Sequence, residues 1–154
     1  MVVEVPVAEL PSWVGREIGP GEWHEITQDR VDRFADATGD HQWIHVDVDK
    51  AKDGPFGGTI AHGYLTLSLL PMLQWELLTF TGAAMGVNYG SDKVRFLTPV
   101  RVGSRVRLKL SVLSVDQRPD GSLLVKNEAT VEVEGSGKPA LVAHTLSLTV
   151  PAAG

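Results

Sequence analysis

The C-terminal third of the chain alternates. Val106, Leu108, Leu110 and Val112 occupy every second position, with Arg105, Arg107, Lys109 and Ser111 between them. Val125, Ala129, Val131 and Val133 repeat the pattern against Lys126, Glu128, Thr130 and Glu132, and ALVAHTLSLTV continues it with His144, Leu146, Leu148 and Val150 on one face. Period-two runs joined by Arg118-Pro119-Asp120-Gly121 and Gly135-Ser136-Gly137 specify antiparallel strands with one face buried. A sheet with a single apolar face needs something to lay it on. The one candidate of sufficient size is IAHGYLTLSLLPMLQWELLTF, Ile60 to Phe80, whose apolar residues leave almost no polar stripe. It reads as a helix from His62-Gly63 to about Phe80, buried on nearly all sides. His62, Pro71, Gln74 and Glu76 interrupt it, so it is not read as a membrane span.

The expected architecture is therefore α+β, a curled antiparallel sheet around one long central helix, in a single domain over residues 1–154. One helix on one sheet leaves a side uncovered, which predicts at least a homodimer. Before the helix the chain is less regular. Residues 1–26 read as irregular, with Pro6, Pro11 and Pro20. Thr27 is placed as an N-cap, Asp29 suits a first turn, and Val31, Phe34, Ala35 and Thr38 fall at helical spacing, giving a helix near 28–38 closed by Gly39.

Charge and composition narrow the function. The net charge of −5 argues against a binder of nucleic-acid backbones. The chain has no cysteine, which removes thiolate nucleophiles and cysteine-based zinc sites. Nothing in MVVEVPVAEL resembles a secretory signal, and a soluble cytoplasmic protein is expected.

The chemistry concentrates in Gly39-Asp40-His41-Gln42-Trp43-Ile44-His45. On a straight helix Asp40 and His45 would lie about 140° apart, and on a strand they would take opposite faces. A turn after Gly39 brings them together, with Trp43-Ile44 as its apolar floor. A carboxylate beside an imidazole suits general acid–base catalysis. The residue types alone allow an equally ordinary reading, in which Asp40 caps a turn and His45 is a structural histidine. A zinc site on His41 and His45 lacks a third ligand in register. Asp47 and Asp49 do not continue into a calcium loop, and GPFGG is not followed by the Lys-Ser/Thr of a phosphate loop. A second candidate lies at Ala61-His62-Gly63-Tyr64. Unpaired first-turn amides and the missing side chain of Gly63 could form an oxyanion hole for a thioester. Alternatively, Gly63 only relieves crowding between helix and sheet.

Phe34-Ala35-Asp36-Ala37-Thr38-Gly39-Asp40 followed by His41-Gln42-Trp43-Ile44-His45 resembles the Gly-Asp-x-Asn-Pro-aliphatic-His signature of MaoC-like dehydratases and (R)-specific enoyl-CoA hydratases. Ala51, Ala61-His62-Gly63 and Val94 to Gly103 resemble the small residue and the two blocks that follow that signature. The likeness spans most of residues 15–150. It implies a hot-dog fold in a dimer, and reversible hydration of a trans-2-enoyl-CoA to the (R)-3-hydroxyacyl-CoA. Asp40 and His45 would activate the water, and Gly63, with His62 and Gln42, would contact the substrate; no cofactor or metal is implied. Two departures stand out. Gln42-Trp43 replaces Asn-Pro, and Pro71 stands where some hydratases have a serine. Pro71 also predicts a kink that could open an acyl channel. A hot-dog acyl-CoA thioesterase and a non-catalytic acyl-CoA-binding subunit are the alternatives.

Overall fold

The computed structural model describes all residues, 1–154. Its main sheet is built from the alternating runs. Strands β2 (Glu17–Ile18) and β3 (His24–Glu25) both pair with β6 (Arg105–Gln117), and the order continues through β7 (Leu123–Val133) and β8 (Leu141–Pro151) to β5 (Ala83–Phe96) at the far edge. Every pairing in this sheet is antiparallel. Along β7 burial alternates without exception, with Val125, Ala129, Val131 and Val133 inside. In β6 the buried set is Val106, Leu108, Leu110 and Val112, as the pattern requires.

Strand β8 presents the other set. Leu141, Ala143 and Thr149 are buried, while Leu146, Leu148 and Val150 are half-buried on the opposite face. The register explains the choice. Leu141 stands opposite Val131 and Ala143 opposite Ala129, both core residues of β7. Directly paired strand residues share a face, so β7 dictates which residues of β8 turn inward.

The sheet's apolar face lies on a helical segment, giving the α+β hot-dog arrangement. Helix α4 (Gly63–Ser68) and helix α5 (Leu70–Trp75) supply Leu65, Leu70 and Leu73 to a core shared with Leu108, Leu110, Ala129, Val131, Leu141 and Ala143. The expected single helix to Phe80 is thus interrupted at Leu69 and ends at Trp75. Pro71 has no N–H for the carbonyl of Leu67 and its ring crowds the preceding turn. The bonds from Leu69 N–H to Leu65 O and from Leu73 N–H to Leu69 O, both 3.0 Å, carry the chain across the interruption. Beyond it, Leu78–Thr81 is not helix but strand β4, paired in parallel with β1 (Val3–Pro6). The N-terminal region is correspondingly more regular than expected. A 3-10 helix, Val7–Trp13, seats Val7 and Leu10 in a second small core with Val5, Leu123 and Val125.

Helix α1 (Gln28–Thr38) has the predicted bounds. The Thr27 hydroxyl accepts from the Arg30 N–H at 3.2 Å, and Gly39 closes the helix at φ 81°, its N–H donating to Ala35 O. Two short helices follow, α2 (Trp43–Val46) and α3 (Val48–Lys52). No helix is long and apolar enough to cross a membrane.

Candidate active site

Asp40 and His45 are brought together by a turn that runs into a single helical turn. Gly39 reverses the chain, the Asp40 carboxylate accepts from the Gln42 N–H at 3.3 Å, and α2 lifts His45 back over the start of the segment. The His45 N–H donates to Gln42 O at 3.0 Å. Gln42 acts here through its backbone, and its side chain stays at the surface. Trp43 is half-buried, covered by the backbone of Gly54 and by the Lys50 ammonium, 4.6 Å from the ring centroid. Trp43 therefore anchors the turn to α3 and the loop that follows, not to the main core.

A second segment completes the site. Residues 59–61 lie between α2 and the stretch at 100–102. Ile60 N–H donates to Ile44 O at 3.0 Å, Ala61 N–H to Val100 O at 2.8 Å, and Val102 N–H to Thr59 O at 2.9 Å. The carbonyl of Ile60 then meets Nδ1 of His45 at 2.7 Å. A carbonyl only accepts, so Nδ1 carries the proton and Nε2 of the neutral ring presents a lone pair. His45 is 7% exposed, and burial holds its pKa below the ordinary 6.5, outweighing the bond to Ile60; a charge on His62 would push the same way, and Asp40 opposes it. The ring is a neutral base at physiological pH.

His62, at the mouth of α4, is 3% exposed. Its ring stacks on His45 with centroids 3.8 Å apart and planes 23° apart, and Phe34 closes the other side at 4.9 Å. Nε2 of His62 donates to the backbone carbonyl of Asp40 at 2.9 Å. Donor atoms of Asp40, His45 and His62 lie within 4.8 Å of one another. That is enough chemistry to raise the question of a metal. The near-parallel rings answer it: their in-plane lone pairs run side by side and cannot both point at one ion about 2 Å away. His41, the other histidine of the segment, is exposed and pairs with Asp36 at 2.9 Å.

Gly63 follows His62. A methyl group there would lie 3.0 Å from the Phe96 ring, so a packing reason for glycine is present. The amides of Gly63 and Tyr64 have no backbone acceptor, because the first helical bonds begin at Leu65 and Thr66. One turn further, a cleft of about 740 Å³ opens between α4–α5 and strands β5 and β8. Leu67, Leu70, Pro71 and Phe80 form its apolar side, and Thr145 and Ser147 line the sheet side. Neither Asp40 nor His45 lines it.

Gln28 was not legible as a site residue. Its amide N–H groups donate to His45 O and to the Asp32 carboxylate, both at 2.8 Å, and its carbonyl accepts from the Thr59 hydroxyl at 2.6 Å. One side chain thus joins α1, α2 and the 59–61 segment. The first residue of a polar helix turn gives no sign of partners so distant in sequence.

The chain has relatives in sequence and in fold. Residues 9–134 match the MaoC like domain. The 3-hydroxyacyl-thioester dehydratase Z of Mycobacterium tuberculosis is 52% identical over 140 residues, covering 91% of this chain and 93% of that protein. Nodulation protein N of Rhizobium leguminosarum is 47% identical over 148 residues, covering 94% and 91%. Among solved structures, a monoamine oxidase regulatory protein from Archaeoglobus superposes with a TM-score of 0.74 at 26% identity, covering 92% of both chains. The (R)-hydratase of A. caviae superposes at 0.71 with 24% identity, over 90% of this chain and 96% of that one, a likeness of fold. The chain belongs to the MaoC-like dehydratase family.

Proposed function

We propose that this chain, as one domain over residues 1–154, is a cytoplasmic (R)-specific enoyl-CoA hydratase, adding water reversibly to a trans-2-enoyl-CoA. The observation that carries the proposal is the His45 ring. Its Nδ1–H is committed to Ile60 O, which leaves Nε2 as the basic atom of a ring that has a nitrogen within 4.8 Å of the Asp40 carboxylate. Water held between the two gives a proton to Nε2 as its oxygen bonds to C3 of the enoyl group. Negative charge moves to the thioester oxygen, where the Gly63 N–H stabilises it. C2 then takes a proton back from the pair, so one water has been added and the enzyme is restored. The thioester itself acidifies C2, and no cofactor enters the scheme.

The substrate class is supported by the names of the relatives, a 3-hydroxyacyl-thioester dehydratase and a 3-hydroxybutyryl-CoA dehydratase. The (R) configuration is taken from the (R)-hydratases of the same fold. Pro71 and the cleft beside it favour acyl groups longer than crotonyl. We also propose a homodimer. Strand β5 is an edge with Met85, Val87 and Tyr89 exposed, an open template for pairing that soluble proteins rarely leave bare. Light scattering should return twice 16.6 kDa.

The test is product analysis. Incubation with crotonyl-CoA, followed by chiral separation and a free-thiol assay, should give (R)-3-hydroxybutyryl-CoA without released CoA. The (S) product would overturn the stereochemical assignment. Stoichiometric thiol would make the protein a thioesterase, and tight binding without product a non-catalytic acyl-CoA carrier.

A further inference from the structure

We infer that His62 is a positioning residue, which fixes the carboxylate of Asp40 and the ring of His45 relative to each other; the inference rests on the hydration chemistry proposed above.

Asp40 needs such a tether. It is exposed, follows a glycine at φ 81°, and its carboxylate has only the 3.3 Å bond to the Gln42 N–H within its own turn. Nothing local fixes its height above His45. The bond from His62 Nε2–H to the Asp40 carbonyl does so from outside the turn, across 22 residues of sequence. The same ring is the surface on which His45 rests, at 3.8 Å. His62 is in turn held by Phe34 of α1 and by its own place at the start of α4. One side chain therefore references acid, base and the Gly63 amide to a common frame.

The residue type fits this task and no simpler one. A phenylalanine would fill the space and support the stack, but could not bond the carbonyl. A glutamine could bond the carbonyl, but would not offer a flat face. Imidazole does both in a ring of this small size, and it does so at a cost: with Nε2 carrying the proton, Nδ1 is an acceptor, buried and without a partner. A ring kept for packing alone would not retain that orphan.

The inference is tested by a double-mutant comparison on crotonyl-CoA hydration. His62→Phe should keep the far-ultraviolet circular dichroism of the parent and a KM within about threefold, while kcat falls on the order of 10²-fold, the loss expected when reacting groups are misplaced by an ångström. His62→Gln should recover part of that loss. In an Asp40→Asn background, His62→Phe should cost clearly less than it does in the wild type, because the carboxylate it sets against the His45 ring is already gone. Full kcat in His62→Phe overturns the inference, and so does a loss that multiplies with Asp40→Asn. A readout independent of turnover is the scalar coupling across the hydrogen bond from His62 Nε2–H to the Asp40 carbonyl, measured in the wild type. Its absence overturns the tether even if His62→Phe does not fold. A wild type that shows the coupling but leaves crotonyl-CoA and longer enoyl-CoAs unchanged refutes the hydratase reading and, with it, a positioning role in catalysis, while the contact itself stands.

Discussion

Replacing Gln28 by Met should loosen the site without emptying it. The thioether keeps most of the side chain's volume and removes three hydrogen bonds, at 2.6, 2.8 and 2.8 Å. The Thr59 hydroxyl suffers most. Thr59 is 6% exposed, so losing its acceptor leaves a buried polar group stranded, at about 1–3 kcal/mol. The bonds to Asp32 and to the His45 carbonyl are only partly shielded and contribute about 0.5–1 kcal/mol each. The total comes to roughly 2–5 kcal/mol. For a chain of this length, with about 2–4 °C per kcal/mol, the midpoint of thermal unfolding should drop by roughly 4–20 °C. Differential scanning calorimetry checks this directly. A second variant tests the mechanism. Thr59→Val in the Gln28→Met background removes the stranded hydroxyl, so the double variant should be less destabilised than the two single changes added together. A midpoint within about 2 °C of the parent, or strict additivity, would show that the Gln28 network carries no weight.

Two further predictions concern the site. Burial lowers the pKa of His45, so the unfolded chain binds a proton there more readily than the native one; stability should rise with pH through the region below 6.5 and be fully present above it. The same sign places the acid limb of kcat/KM below pH 6.5, and a limb above it would contradict a buried, neutral base. Gly63→Ala should cost up to about 1 kcal/mol, because the methyl meets the Phe96 ring at 3.0 Å and that ring, 47% exposed, has room to shift, and Phe96→Ala in the same chain should relieve the contact. Activity should return with it, because removing the ring removes what displaces the first-turn amide.

Much of the fold could be read from residue order, where the signal is local. The limits of α1 follow from Thr27 and Gly39, and the strands after Arg105 from strict alternation between turn signals. The failures share a cause. Leu78–Thr81 continues an apolar run and looks helical until β1, at the other end of the sequence, offers it a parallel partner. Strand β5 begins at Ala83, but Gly86 and Gly90 and a largely exposed surface erase the alternation that would announce it. The inward face of β8 was set by Val131 and Ala129 across the pairing, not by its own hydrophobic residues. At the site, the spacing of Asp40 and His45 excluded both regular elements and so required a turn. That the turn closes through α2, with His62 laid against it, depends on contacts that no local pattern encodes.

The most direct measurement follows the enoyl-thioester absorbance of crotonyl-CoA with the wild type, Asp40→Asn and His45→Gln. The account predicts loss of absorbance with the wild type, and a fall of about 10²–10⁴-fold in kcat in each variant, the range for removing a general acid or base. Hydration by the wild type that survives unchanged in either variant would contradict the assignment of Asp40 and His45 as the groups that move the proton.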